Sequence, residues 1–104
     1  MRMEHTPIRR LRNLLTNGNL WLYILSLING DGELYAYALD KKIEEKFSFR
    51  PNRIMIYVVL YKLEAEGLIE SKFRERRKYY RLTKTGHEAL SRAREYFGTL
   101  SEKL

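Results

Sequence analysis

A chain of 104 residues has room for one domain, and with 44% apolar residues it is too hydrophobic to be intrinsically disordered. Twenty Lys and Arg against 13 Asp and Glu leave +7, which favours a polyanionic partner, nucleic acid ahead of an anionic membrane. Without cysteine there can be no disulfide, thiolate metal site or cysteine nucleophile, and His5 and His87 are too few for a histidine metal centre, so no cofactor is expected.

No apolar leader stands between Met1 and Arg10, and the longest apolar run, Leu20 to Ile28, is too short to span a bilayer. A soluble cytoplasmic protein without a membrane partner is expected. Thr6 and Pro7 suit the cap and first position of a helix, with Ile8, Leu11, Leu14 and Leu15 at helical spacing and Arg9, Arg10 and Arg12 between them. Asn17-Gly18 ends that helix, and Asn19 can cap a second from Leu20 to about Ile28. This second helix is apolar on nearly every side and belongs in a core or a subunit interface.

Asn29-Gly30-Asp31-Gly32 reads as a turn, followed by a helix from about Tyr35 to Lys46 with Leu39 and Ile43 on its apolar stripe. Pro51 sets the first turn of the next helix, which runs to about Glu66 and stops at Gly67. Its segment Ile54 to Val59 has strand propensity, but the Pro start, the Gly stop and the spacing of Ile56, Leu60 and Leu63 favour a helix with those three inward. Leu68 to Phe73 and Tyr79 to Leu82 read as a β-hairpin around a charged turn, Arg74 to Lys78. Thr83 or Thr85 caps the last helix, Thr85 with Glu88 fitting a capping box. Leu90, Ala93, Phe97, Leu100 and Leu104 then recur at three- and four-residue steps, a coiled-coil-like seam.

Two constellations carry chemistry. Between Lys72 and Arg81 stand Lys72, Arg74, Arg76, Arg77, Lys78 and Arg81 against Glu75 alone, so a two-stranded ribbon would present cations to phosphates, with hydroxyls from Tyr79 and Tyr80. Arg50, Asn52 and Arg53 stand at the start of the helix after Pro51, where Arg can read guanine and Asn adenine. Ile54, Met55 and Val58 leave that helix few other polar groups for base reading. Two helices, a tight connector and a hairpin make a winged helix-turn-helix, an α+β fold that is mostly α. Catalysis is not expected: His87 sits at a helix start without a nucleophile pattern, and Asp31 and Asp40 are isolated acids.

The segments ELYAYALDKKI, IYVVLYKLEAEGLIESKF and RRKYYRLTKTGHEAL resemble the PadR family of winged-helix transcriptional regulators. Ala36-Tyr37 matches the family's G/A-Y pair. Ile56, Tyr57, Leu60, Lys62, Leu63, Glu64, Glu66, Gly67, Leu68 and Ile69 fit its LYPxLxRLExEGLI helix. Lys78, Tyr79, Tyr80, Leu82, Thr83 and Gly86 fit KYYxLTxxG, so that the likeness spans Trp21 to Phe97. Ile54 and Met55 replace the family's Gly and Ser/Thr, and Val58 its common Pro.

The resemblance implies contacts to double-stranded DNA from Tyr37, Met55, Tyr57 and Lys62 beside the arginines and the wing. It also implies a homodimer, with Leu14, Leu20 and Trp21 of the first helices and Leu90, Ala93, Phe97 and Leu100 of the last helix across a two-fold axis. The seam on the last helix supports a dimer on its own terms, or packs on the chain's own first helices, or does both with different faces. The expected division is 1–18 for a basic N-terminal helix, 19–83 for the winged helix-turn-helix and 84–104 for a dimerisation helix. The expected function is a repressor on a palindromic operator. The alternatives are an interaction or effector-sensing module, with Trp21, Tyr23, Tyr96 and Phe97 around a small planar effector, and nonspecific nucleic-acid binding.

Overall fold

The computed structural model describes residues 5–104. The first four residues of the expected basic segment, and of the stretch read as lacking a leader, lie outside the described residues.

Helix α1 spans Thr6–Leu15. Thr6 is its first residue and not its cap: the His5 carbonyl accepts from Arg9 N at 3.0 Å and so opens the helical ladder. Helix α2 spans Leu20–Asp31. Asn19 does not cap it with its side chain, which instead ties the two helices together. Its Nδ2 donates to Leu14 O at 2.5 Å, and its Oδ1 accepts from Trp21 Nε1 at 3.3 Å. The expected turn at residues 29–32 is still helix as far as Asp31. The break falls at Gly32, whose φ of +84° is open to glycine at little cost.

Leu34–Tyr35 form a short strand, β1, where a helix start was expected, and a 3-10 turn over Ala36–Ala38 leads into α3, Leu39–Phe47. Pairing with a strand more than forty residues away, Leu34 with Tyr80 and Tyr35 with Tyr79, decides this, and no local pattern encodes it. Helix α4 spans Arg53–Ala65, so Pro51 lies just before it and Asn52 is the cap, its Oδ1 accepting from Ile54 N at 2.7 Å. The strand-like residues 54–59 are helical because the helical spacing buries Ile56, Leu60 and Leu63 together.

Strands β2, Ile69–Arg74, and β3, Arg77–Leu82, meet through a two-residue turn, tighter than the expected charged loop. They complete an antiparallel sheet of order β1-β3-β2. Helix α5 spans Lys84–Lys103 and is capped by Thr83, whose Oγ1 accepts from Gly86 N at 3.1 Å. The Thr85–Glu88 capping box does not form, since Thr85 lies inside the helix. The Thr83 hydroxyl also donates to Gly67 O at 2.6 Å, and Thr83 N donates to Leu68 O at 3.1 Å, which joins the start of α5 to the end of α4.

The core gathers around α2, as its all-round hydrophobicity requires. Ile24, Leu25 and Ile28 are fully buried with Leu39, Ile43, Ile56, Leu60 and Ile69. Helix α1 buries none of its residues, and Ile8, Leu11 and Leu14 are all at least half exposed. Helices α3 and α4 followed by the β2–β3 wing realise the expected winged helix-turn-helix.

Candidate nucleic-acid interface

The start of α4 is organised by a carboxylate that looks isolated in the sequence. Asp40, in the first turn of α3, is only 3% exposed. Its Oδ2 accepts from Arg50 Nη2 and from Arg53 Nε, each at 3.1 Å, and its Oδ1 from Lys41 N at 2.8 Å. Burial pushes this carboxyl up. The hydrogen bonds from Arg50, Lys41 N and Arg53, with the charge of Arg53, outweigh burial and hold it below the usual carboxylate range.

The Arg53 guanidinium also lies over the exposed Tyr37 ring, 4.3 Å from its centroid. Nε is taken by Asp40, and the Tyr37 hydroxyl also engages the guanidinium, so Arg53 is held in place with its terminal nitrogens, the pair that reads a guanine edge, at the open end. Arg50 spends its own on Asp40 and on Glu44, the latter at 3.6 Å. Asn52 spends its acceptor on the helix cap, so reading adenine in the two-bonded mode would break the cap.

Around α4, helical spacing separates three strips. Ile56, Leu60 and Leu63 face the core. Ile54, Val58 and Tyr61 repeat the same spacing on the opposite side, exposed by 72%, 38% and 77%. Arg53, Tyr57 and Glu64 mark the flank toward the wing, where Glu64 accepts from Ser71 Oγ at 2.5 Å and pairs with Lys78 at 3.5 Å. Met55 and Lys62 lie on the other flank, in a groove with Trp21, Val59 and Ala89. The structure thus separates these two from the arginines of the α4 start.

On the wing, several expected phosphate ligands already have partners. Arg74 pairs with Glu33, Lys78 with Glu64, and Arg81 with Glu70. Among the described residues, Lys72, Arg76 and Arg77 make no ion pair. Exposed pairs are weak and yield to phosphate, but these three cations begin unengaged by carboxylate. Arg77 rests on the Tyr35 ring, which meets the Tyr79 ring edge-on at 5.7 Å, and Arg74 rests on Tyr79. Tyr35 also lines an open cleft with Tyr37, Lys41, Arg50 and Arg53. The wing root and the start of α4 therefore share one side of the molecule.

The residues expected across a dimer axis divide. Leu20 and Leu90, 3% and 2% exposed, belong to the chain's own core, because α2 and α5 pack on each other there. Leu14, Phe97 and Leu100 are exposed, and Trp21, Ala93 and Phe97 line an apolar groove with Leu22 and Tyr96. Of the aromatics weighed for an effector, Tyr23 is elsewhere. It packs edge-on to Phe47 and Phe49 and donates to Leu15 O at 2.6 Å.

Sequence reasoning missed Asp40, Tyr35 and Glu64. A charged residue beside Leu39, on the side of α3 that carries Ile43, was the available signal for Asp40. Tyr35 had none, because its role follows from strand pairing. Among the described residues, no cluster of His, Asp and Glu is suited to a metal ion, and no helix is long and apolar enough to cross a membrane.

Comparison with known proteins agrees with this geometry. The transcriptional regulator PadR-like family matches residues 24–92. A transcriptional regulator from Clostridium thermocellum is similar at 26% identity, with 96% of this chain and 93% of that one covered and a TM-score of 0.75. A PadR-like transcriptional regulator from Bacillus cereus is similar at 31% identity, covering 88% of this chain and 91% of that one, with a TM-score of 0.73. A winged-helix DNA-binding protein from STIV shares the fold at 18% identity, covering 79% of this chain and 89% of that one, with a TM-score of 0.71. No curated protein matches the chain.

Proposed function

The chain belongs to the transcriptional regulator PadR-like family, and on that premise we propose that it is a DNA-binding repressor, acting as a homodimer on a palindromic operator. Helix α4 enters the major groove, and the wing holds the flanking phosphates. One observation carries this reading. Tyr35 lies beneath Arg77 of the wing and also borders the cleft that holds Arg50 and Arg53, so two sets of cations address one duplex. Arg53, steadied by Asp40 and Tyr37, is the base-reading cation, while Lys72, Arg76 and Arg77 serve the backbone.

Two apolar surfaces support self-association. Among the described residues nothing buries the Ile8, Leu11 and Leu14 stripe of α1, and Tyr96, Phe97 and Leu100 are exposed near the end of α5. Joined about a two-fold axis, the two α4 helices would meet successive major grooves roughly 34 Å apart. Selection from random duplexes at physiological salt, followed by sequencing, tests the reading. An enriched inverted repeat is the expected outcome. Uniform retention of all sequences would leave only nonspecific binding.

A further inference from the structure

The outward face of α4 is unusual for a surface turned toward a polyanion. Ile54, Val58 and Tyr61 form an exposed apolar strip at spacings of four and three residues. Phe73, 75% exposed, adds apolar surface on the α4-facing side of the wing: it shares a face of β2 with Ser71, whose hydroxyl bonds Glu64 of α4. The polar groups near the helix start are largely engaged, Asn52 in the cap and Arg50 on two carboxylates. What α4 presents beyond Arg53 is hydrocarbon and aromatic surface. Exposed apolar strips of this kind mark a binding surface.

We propose that α4 reads thymine, by packing Ile54 and Val58 against the C5-methyl groups that thymine alone of the four bases projects into the major groove. The inference rests on the DNA-binding reading above and names the chemistry of its specificity. Charge argues for this occupant over a protein partner. The strip is one helix wide and is bracketed by Arg53 at its start and by Lys78 on the wing, which pairs with Phe73 across the hairpin and lies 3.5 Å from Glu64 of α4, as a groove floor flanked by two phosphate strands requires. Thymine offers the one apolar feature of that floor, and aliphatic side chains recognise it by burial. Ile54, near the start of the helix and beside Arg53, would place a methyl contact next to the base pair that Arg53 reads.

Deoxyuracil tests the proposal, because it keeps both hydrogen-bonding edges of thymine and lacks only the methyl. The probe is the duplex most enriched in the random selection, synthesised with deoxyuracil at each thymine in turn. Each substitution beneath α4 is expected to weaken binding about four-fold, the effect of one methyl group no longer buried. The variant I54S/V58S, altered at exposed positions, is expected to bind the thymine and uracil duplexes alike. Circular dichroism confirms that it remains folded. Wild-type protein that binds the duplex with indifference to every uracil overturns the proposal and leaves DNA binding intact. So does a thymine preference that survives in I54S/V58S, which would free the strip for a protein partner. Failure to bind any duplex even at low salt overturns the DNA reading and this inference together.

Discussion

Asp40 shows how one side chain can set the behaviour of two others. It removes two arginine heads from free rotation at the mouth of α4, at the cost of cancelling one positive charge there. Replacing it with Asn keeps the shape and removes the charge. D40N is expected to bind arbitrary duplexes more tightly and to discriminate less between sequences, both read in competition mobility shifts. Hydrogen bonds to a charged group typically contribute roughly 1.5–3 kcal/mol, so D40N should be less stable by about that much near neutral pH. The sign with pH follows from the lowered carboxyl. The stabilisation is complete above the ordinary aspartate range, near pH 4, and fades as the pH falls through the lower folded value. The difference between the two proteins in urea unfolding should therefore shrink, not grow, as the pH is lowered from 7 toward 3.

Gly86 is the other residue with a sharp consequence. A Cβ there would lie 2.0 Å from the carbonyl oxygen of Leu68, which is backbone and cannot turn aside. G86A is expected to lower stability by about 1–3 kcal/mol by forcing α5 away from the base of the wing. A thermal midpoint unchanged by the substitution would contradict that packing.

At the scale of the element, the wing holds Arg76 at its tip at a cost in stability. Glu75 and Arg76 have φ values of +51° and +68°, the left-handed geometry that two-residue hairpins need and that Asn-Gly meets with least strain. The double variant E75N/R76G is expected to raise stability by about 1 kcal/mol, or some 4–8 °C in a domain of this size. It should also weaken binding to every duplex. Neutralising the three unpaired cations, as K72Q/R76Q/R77Q, is expected to reduce the slope of log affinity against log salt by about three without changing the preferred sequence. A changed preference would place base reading on the wing instead of on α4.

At the scale of the whole molecule, α1 has an apolar stripe that nothing among the described residues buries. Small domains gain stability slowly with size, and leaving such a stripe in water forfeits burial that a second copy would supply. L11S/F97S, altered at two exposed positions, is expected to sediment at half the mass of the parent and to lose most of its affinity for an inverted repeat while retaining its helix content. A parent that already sediments as a single chain would refute the dimer.

Much of this architecture was legible without coordinates, and the reason lies in periodicity. Helix α4 was recoverable despite its strand-forming residues because Ile56, Leu60 and Leu63 keep one face, and Gly67 must end it. The hairpin and the cations of the wing were readable in the same way, since alternation and charge are local properties. The three caps fared less evenly. Thr83 does cap α5, but His5 holds the position expected of Thr6 and the Asn19 side chain does not cap α2, because a cap depends on which carbonyl first enters the ladder.

Sequence alone therefore determined a basic winged helix and left α2 to a core or a subunit interface, since burial patterns and net charge are carried by residue order and composition. Tertiary structure decided which of the many arginines have carboxylate partners, that Asp40 organises the α4 start, and that Tyr35 joins wing to helix. It also decided that Leu20 and Leu90 are spent on the core while the α1 stripe is left open. Those outcomes depend on contacts between residues far apart in the chain, where direction and distance in space, and not spacing along the sequence, select the partner.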